Sequence, residues 1–174
     1  RFLCWVPALL GGLHVALLFL LGRRFLSTPA AFAAASLLAV LPAHFVYSQV
    51  GYVDHHVAVS LVGSLVLFAA MDFAARPERR EEVWLGLAFA TGFLIWPGSL
   101  LHVGVAQAAL LAFVLSRTES SRAIAIARRL AAAHALAAVA VAPFCLGQTW
   151  IRWGSVSPLV LSTFQPLWLG AGAA

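Results

Sequence analysis

The sequence predicts an all-α, polytopic transmembrane helix bundle of about six spans, and three observations predict it. Of the 174 residues, 63% are hydrophobic and 10% charged, with a mean hydropathy of +0.96. A soluble globule carries roughly 25% charged residues, and a disordered tail has few apolar ones, so both classes are excluded. The apolar residues gather in runs of about the 20 residues that a membrane crossing requires. All 11 positive residues are Arg, which stays charged at any working pH, and they fall between the runs in an uneven way.

The first span covers residues 4–22 and is closed by Arg23 and Arg24. The second, 29–50, starts with Pro29 in a first-turn position and carries Pro42 near its far end, where a kink is tolerated. His56–Ala75 forms the third, followed by the charged run from Arg76 to Glu82, which reads as a solvated loop. Spans 84–95 and 100–116 are separated by Trp96-Pro97-Gly98-Ser99, a turn signal. The sixth covers 129–146 and leads into a polar and aromatic stretch, 148–168. Cys4 and Cys145 lie in apolar runs and read as packing residues.

Successive spans place their loops on alternate sides. One side then receives Arg23, Arg24, Arg76, Arg79, Arg80, Arg117, Arg122, Arg128 and Arg129, and the other only Arg1 and Arg152. By the positive-inside rule the arginine-rich side is cytoplasmic, and loops 49–55, 96–99 and 147–168 are external. Arg122 to Arg129, with Ile124 and Ile126 interleaved, reads as a basic amphipathic segment meeting membrane lipids, and no nucleic-acid partner is expected. The chain opens on Arg1 with an apolar run under way and closes without a polar tail. It is therefore read as a single transmembrane domain, 1–174, without a soluble domain and cut from a longer polytopic chain.

Asp54 is the single acid expected outside. It sits in Gly51-Tyr52-Val53-Asp54-His55-His56, where Gly51 permits a turn. Asp54 and His56 are two apart, so in an extended segment both side chains point to one side, with His55 pointing away. A carboxylate and an imidazole converging there suit a divalent cation of the Mn, Mg or Zn kind. An Asp ahead of a helix is equally a good N-cap, and the spacing leaves both readings open. His14, His44, His102 and His134 lie within spans and read as neutral side chains hydrogen-bonded across helices. Asp72 is expected to reach toward Arg76, one turn on.

The apolar span before Gly22-Arg23-Arg24-Phe25, the Ala-rich span ending at Pro42, and Ser48-x-x-Gly51-x-x-Asp54-x-His56 together resemble the transmembrane part of the oligosaccharyltransferase catalytic subunit family. The resemblance implies a glycosyltransferase C-type membrane domain. It implies transfer of an oligosaccharide from an isoprenoid pyrophosphate donor to an acceptor-protein asparagine. Asp54 and His56 would hold a Mn or Mg ion, Asp54 would act in catalysis, and Gly51 and His55 would support the loop. Thr163-Phe164-Gln165-Pro166 is similar to the family's acceptor-peptide element, so Thr163, Gln165 and Pro166 are candidate substrate contacts, with Arg152 for donor phosphate. Thr163 stands where the family usually has glutamate, so no metal contribution is expected from that position. The segment alone is expected to be inactive. Two other readings stay open: a membrane transferase using a monophosphate isoprenoid donor, and a polytopic transporter, which would need polar groups facing one another at mid-membrane.

Overall fold

The computed structural model describes residues 2–146 and 155–174. Among them it contains helices and no strand, as the composition predicts. After a 3₁₀ turn at Phe2–Trp5 the helices are α1 (Val6–Gly22), α2 (Thr28–Val40), α3 (Pro42–Tyr47) and α4 (His56–Ala75). Then come α5 (Arg79–Ile95), a 3₁₀ turn at Pro97–Ser99, α6 (Leu100–Leu115), α7 (Ser120–Cys145) and α8 (Phe164–Ala173). Among the described residues four stretches are long and apolar enough to cross a membrane: Phe2–Gly22, His56–Ala75, Pro97–Leu115 and Ser120–Cys145. The count of about six is not reproduced, for two local reasons.

The expected span 29–50 is not one helix. Proline disfavours helical geometry in the residue before it, and Leu41 accordingly sits in an extended conformation with ψ 125°. The chain restarts at Pro42, whose missing N–H is harmless in a first turn. What remains is a 13-residue α2 and a 6-residue α3. The span 84–95 is likewise part of a 17-residue helix that begins inside the charged run. Glu81 and Glu82 lie in its first turn, where the partial positive charge of the helix N-terminus favours them. The run is therefore not the solvated loop expected, and Glu81 is buried. In α7 the basic segment and the sixth span join as one 26-residue helix.

The chain divides into two compact units, Arg1–Leu65 and Val66–Ala174. In the first, α1 packs on α2 and α3. A Cβ on Gly11 would lie 2.5 Å from the Ser48 Cβ, so the bare backbone there is what admits the chain leaving α3. Arg23 donates to the Thr28 hydroxyl across the α1–α2 turn. His14 Nε2 and Ser64 Oγ, 2.9 Å apart, tie α1 to the middle of α4. That is the interhelical bond expected of a membrane histidine.

In the second unit α7 packs against α5 and α8. Its core is built by Leu85, Phe89, Phe93, Ala133, Ala137 and Val141. Arg129 donates to Glu82 at 3.2 Å across the same pair of helices. A polar relay joins three helices: the Trp168 indole N–H donates to Gln107 Oε1 at 2.9 Å, Gln107 Nε2 lies 2.9 Å from His134 Nε2, and His134 Nδ1 lies 2.8 Å from the Leu130 carbonyl. Every partner supplies what the next lacks, so the relay acts as interhelical glue.

Gly86 marks a close approach of α5 to α7: an added Cβ would lie 2.7 Å from the Ala133 carbonyl oxygen and 3.2 Å from the Leu136 Cβ. Backbone oxygen cannot swing aside, so Gly86→Leu forces the helices apart. It is expected to cost about 1–3 kcal/mol, read as a lower midpoint of thermal unfolding in detergent.

Candidate functional site

The loop between α3 and α4 is shaped by its own backbone and by Tyr47. Gly51 adopts φ 90°, the left-handed region that glycine enters without steric cost. Its amide donates to the Cys4 carbonyl at 2.8 Å, fastening the turn to the 3₁₀ turn that precedes α1. Tyr47, the last residue of α3, stacks on the His56 ring at 4.4 Å between centroids and meets Tyr52 edge-on at 5.4 Å. The loop is thus folded over an aromatic post that holds His56 at the first position of α4.

Three side chains converge on this loop. The His55 amide donates to Asp54 Oδ1 at 2.6 Å, and His55 Nδ1 lies 2.7 Å from the same oxygen. His56 Nδ1 lies 2.9 Å from Asp54 Oδ2. The two imidazole rings are 4.5 Å apart. His55 therefore does not point away. The extended geometry assumed for 54–56 ends where α4 begins, and the turn into the helix swings both imidazoles toward the carboxylate. Asp54 meets the amide of His55, one residue on, and not the first-turn amides of α4 that a capping Asp serves.

Partial desolvation pushes the Asp54 carboxyl up. The His55 amide bond, then the His56 hydrogen bond and the two imidazoles, outweigh it and hold the group below the usual carboxylate range. Asp54 is thus an anion at neutral pH. Donor atoms from Asp54, His55 and His56 all lie within 4.8 Å of one another, one from each residue. One hard oxygen and two borderline nitrogens at that spacing form a donor set that a divalent first-row cation accepts. Behind the loop lies a cavity of about 210 Å³ whose wall includes His14, His44, Tyr47, His56 and Ser60.

The other sequence candidates fall in the second unit. Thr163 N–H and Oγ1 both donate to the Ser155 carbonyl, at 3.2 and 2.5 Å. Gln165 is fully buried: its Oε1 accepts from the Ser162 amide at 2.8 Å and its Nε2 donates to the Val160 carbonyl at 2.9 Å. Ser162 Oγ donates to the Ser157 carbonyl at 2.8 Å and accepts from the Ser157 amide at 2.9 Å. Gln165 thus braces residues 155–165, and Pro166 occupies the first turn of α8, where its missing N–H is tolerated. Arg152 lies outside the described residues. Sequence reasoning did not single out Tyr47. Its signal was two tyrosines, Tyr47 and Tyr52, flanking the glycine turn.

Fold and loop define a class: a multi-pass helical membrane protein with a compact carboxylate–imidazole cluster where a spanning helix begins. The family model for oligosaccharyl transferase STT3, N-terminal, matches residues 1–167, and the chain belongs to that family. Comparison with curated proteins and with solved structures finds no match. Membership makes the chain part of an integral-membrane glycosyltransferase family.

Apart from its two chain neighbours, no heavy atom of the described residues lies within 4 Å of the position of a Cβ on Gly51, so substitution there meets backbone strain without a clash among them. Gly51→Ala is expected to cost about 1–2 kcal/mol, and Gly51→Asn less, because Asn tolerates left-handed backbone. Thermal unfolding of the two variants side by side checks the order.

Proposed function

We propose that this chain supplies the metal-side loop of an oligosaccharyltransferase, which moves an oligosaccharide from an isoprenoid pyrophosphate to the side-chain amide of an acceptor asparagine. The observation that carries the proposal is an ionised Asp54 bracketed by two imidazoles in a loop of a chain matched by that family. In the reaction the bond from the anomeric carbon to the pyrophosphate oxygen breaks and a bond to the amide nitrogen forms. Asp54 and His56 would hold a Mn or Mg ion, with His55 as a further donor. Bound there, the ion would supply positive charge against the departing pyrophosphate. His56 keeps one imidazole nitrogen on Asp54, which fixes the ring and leaves Nε2 as a candidate ligand atom. Asp54, with two oxygens, is suited to orient the amide N–H of the acceptor as well.

The loop is proposed to lie on the non-cytoplasmic side, since the arginines favour the opposite side. On this reading the donor is a lipid-linked oligosaccharide and the acceptor a polypeptide. Residues 155–166, braced by Gln165, would present Thr163 and Pro166 toward the acceptor, and Arg152 would meet donor phosphate. Gln165 contributes through the shape it imposes, since its amide is engaged within the loop. The transporter alternative is disfavoured. Within the second unit the Gln107–His134–Trp168 relay is satisfied internally, which leaves His134 closed off as interhelical glue.

Transfer from lipid-linked oligosaccharide to an Asn-x-Thr peptide, measured with the full-length parent protein in liposomes, tests the proposal. Chelation is expected to abolish transfer and added Mn to restore it. Asp54→Ala is expected to lower the rate by about 10²–10³, the cost of removing a group that stabilises developing charge. His56→Ala is expected to raise the Mn requirement about 10–100-fold. Metal-independent transfer that survives Asp54→Ala would reduce the loop to a structural element.

A further inference from the structure

Where α4 ends and α5 begins, the second unit holds a cavity of about 450 Å³. Asp72, Arg76, Arg80 and Glu81 line it, two acids and two bases. Its remaining wall is apolar and aromatic, and Val83, Trp84 and Leu87 of that wall are exposed on the outer face of α5. Glu81 is 7% exposed, and its Oε2 is buried without a hydrogen-bond partner among the described residues. Among those residues no ion pair engages Glu81, Arg76 or Arg80. A buried carboxylate oxygen left unpaired is among the costliest groups in a fold. Here it lines a cavity shared with two guanidinium groups.

The chemistry of the wall narrows the occupant. A purely anionic ligand would satisfy the arginines and leave Glu81 facing like charge, and a simple cation would do the reverse. A zwitterion that carries a phosphate and an N–H-bearing ammonium satisfies both. Guanidinium groups bind phosphate oxygens by paired hydrogen bonds, and a carboxylate takes a charge-assisted bond from an ammonium. The apolar outer wall calls for hydrocarbon beside that headgroup. The position fits too, at the end of a helix long enough to span a membrane, where tryptophan sits at headgroup level.

We propose that this cavity binds the phosphoethanolamine headgroup of a membrane lipid, with its phosphate on Arg76 and Arg80, its ammonium on Glu81, and its acyl chains along Trp84 and Leu87. The site is separate from the Asp54 loop and does not depend on the reaction assigned to it.

Native mass spectrometry of the full-length parent protein, offered equal amounts of dioleoyl phosphatidylethanolamine, phosphatidylcholine and phosphatidylglycerol, tests the proposal. Choline has no N–H to give Glu81, and glycerol has no charge. The ethanolamine lipid is therefore expected to be retained about tenfold over both, the worth of one charge-assisted hydrogen bond. Glu81→Gln is expected to lower it to the choline level, and Arg80→Gln to weaken both zwitterionic lipids together. Retention of the glycerol lipid at or above the ethanolamine lipid, unchanged preference in Glu81→Gln, or equal binding of water-soluble phosphoethanolamine would each overturn it. The fold is checked independently in lipid-free detergent, where Glu81→Gln is expected to melt no lower than the parent. A lower melting temperature would assign Glu81 a packing role and overturn the site.

Discussion

In hydrocarbon every backbone N–H and C=O must find its partner inside the protein, and that constraint governs this chain. It confines the long apolar runs to helices. It also pushes irregular backbone to the places where helices stop: the Leu41–Pro42 break, the loop before His56 and the Pro97 turn. All three candidate metal donors lie at such a place, because only there is backbone free to turn side chains toward one another.

Helices that share an apolar surroundings gain little from burying more apolar surface, so what positions them is close packing and a few polar bonds. Gly11 against Ser48, Gly86 against Ala133, the His14–Ser64 bond and the Trp168–Gln107–His134 relay are contacts of this kind. The first pair matters most for the site. Gly11 admits the chain leaving α3, and the Gly51 amide then anchors the loop to the Cys4 carbonyl, so α1 and the 3₁₀ turn before it brace the stretch that leads to Asp54. Tyr47 completes the support from the α3 side.

The Asp54 loop also illustrates how a compact anion is kept stable without deep burial. The carboxylate is shared between one backbone amide and two imidazoles, each of which carries an independent structural role, in the turn or at the start of α4. Such a cluster is held ready for a cation, and for a family whose reaction expels pyrophosphate, that readiness has a clear chemical use.

The sequence alone determined that the chain is an all-helical membrane protein, that Asp54 and His56 share a loop, and that His14 and His134 bond across helices, whereas neither ring nitrogen of His44 has a hydrogen-bond partner among the described residues. These follow from composition and from spacing within a few residues. Tertiary structure alone decided the rest. Glu81 looked solvated, because burial depends on a neighbouring helix that local pattern does not reveal. His55 looked turned away, because the period of two fails where a strand-like loop enters a helix. Gln165 looked like a surface contact, yet its partners at 157, 160 and 162 turn it inward. In each case the deciding interaction joins groups whose proximity arises only once the chain has turned, and no pattern along the sequence encodes it.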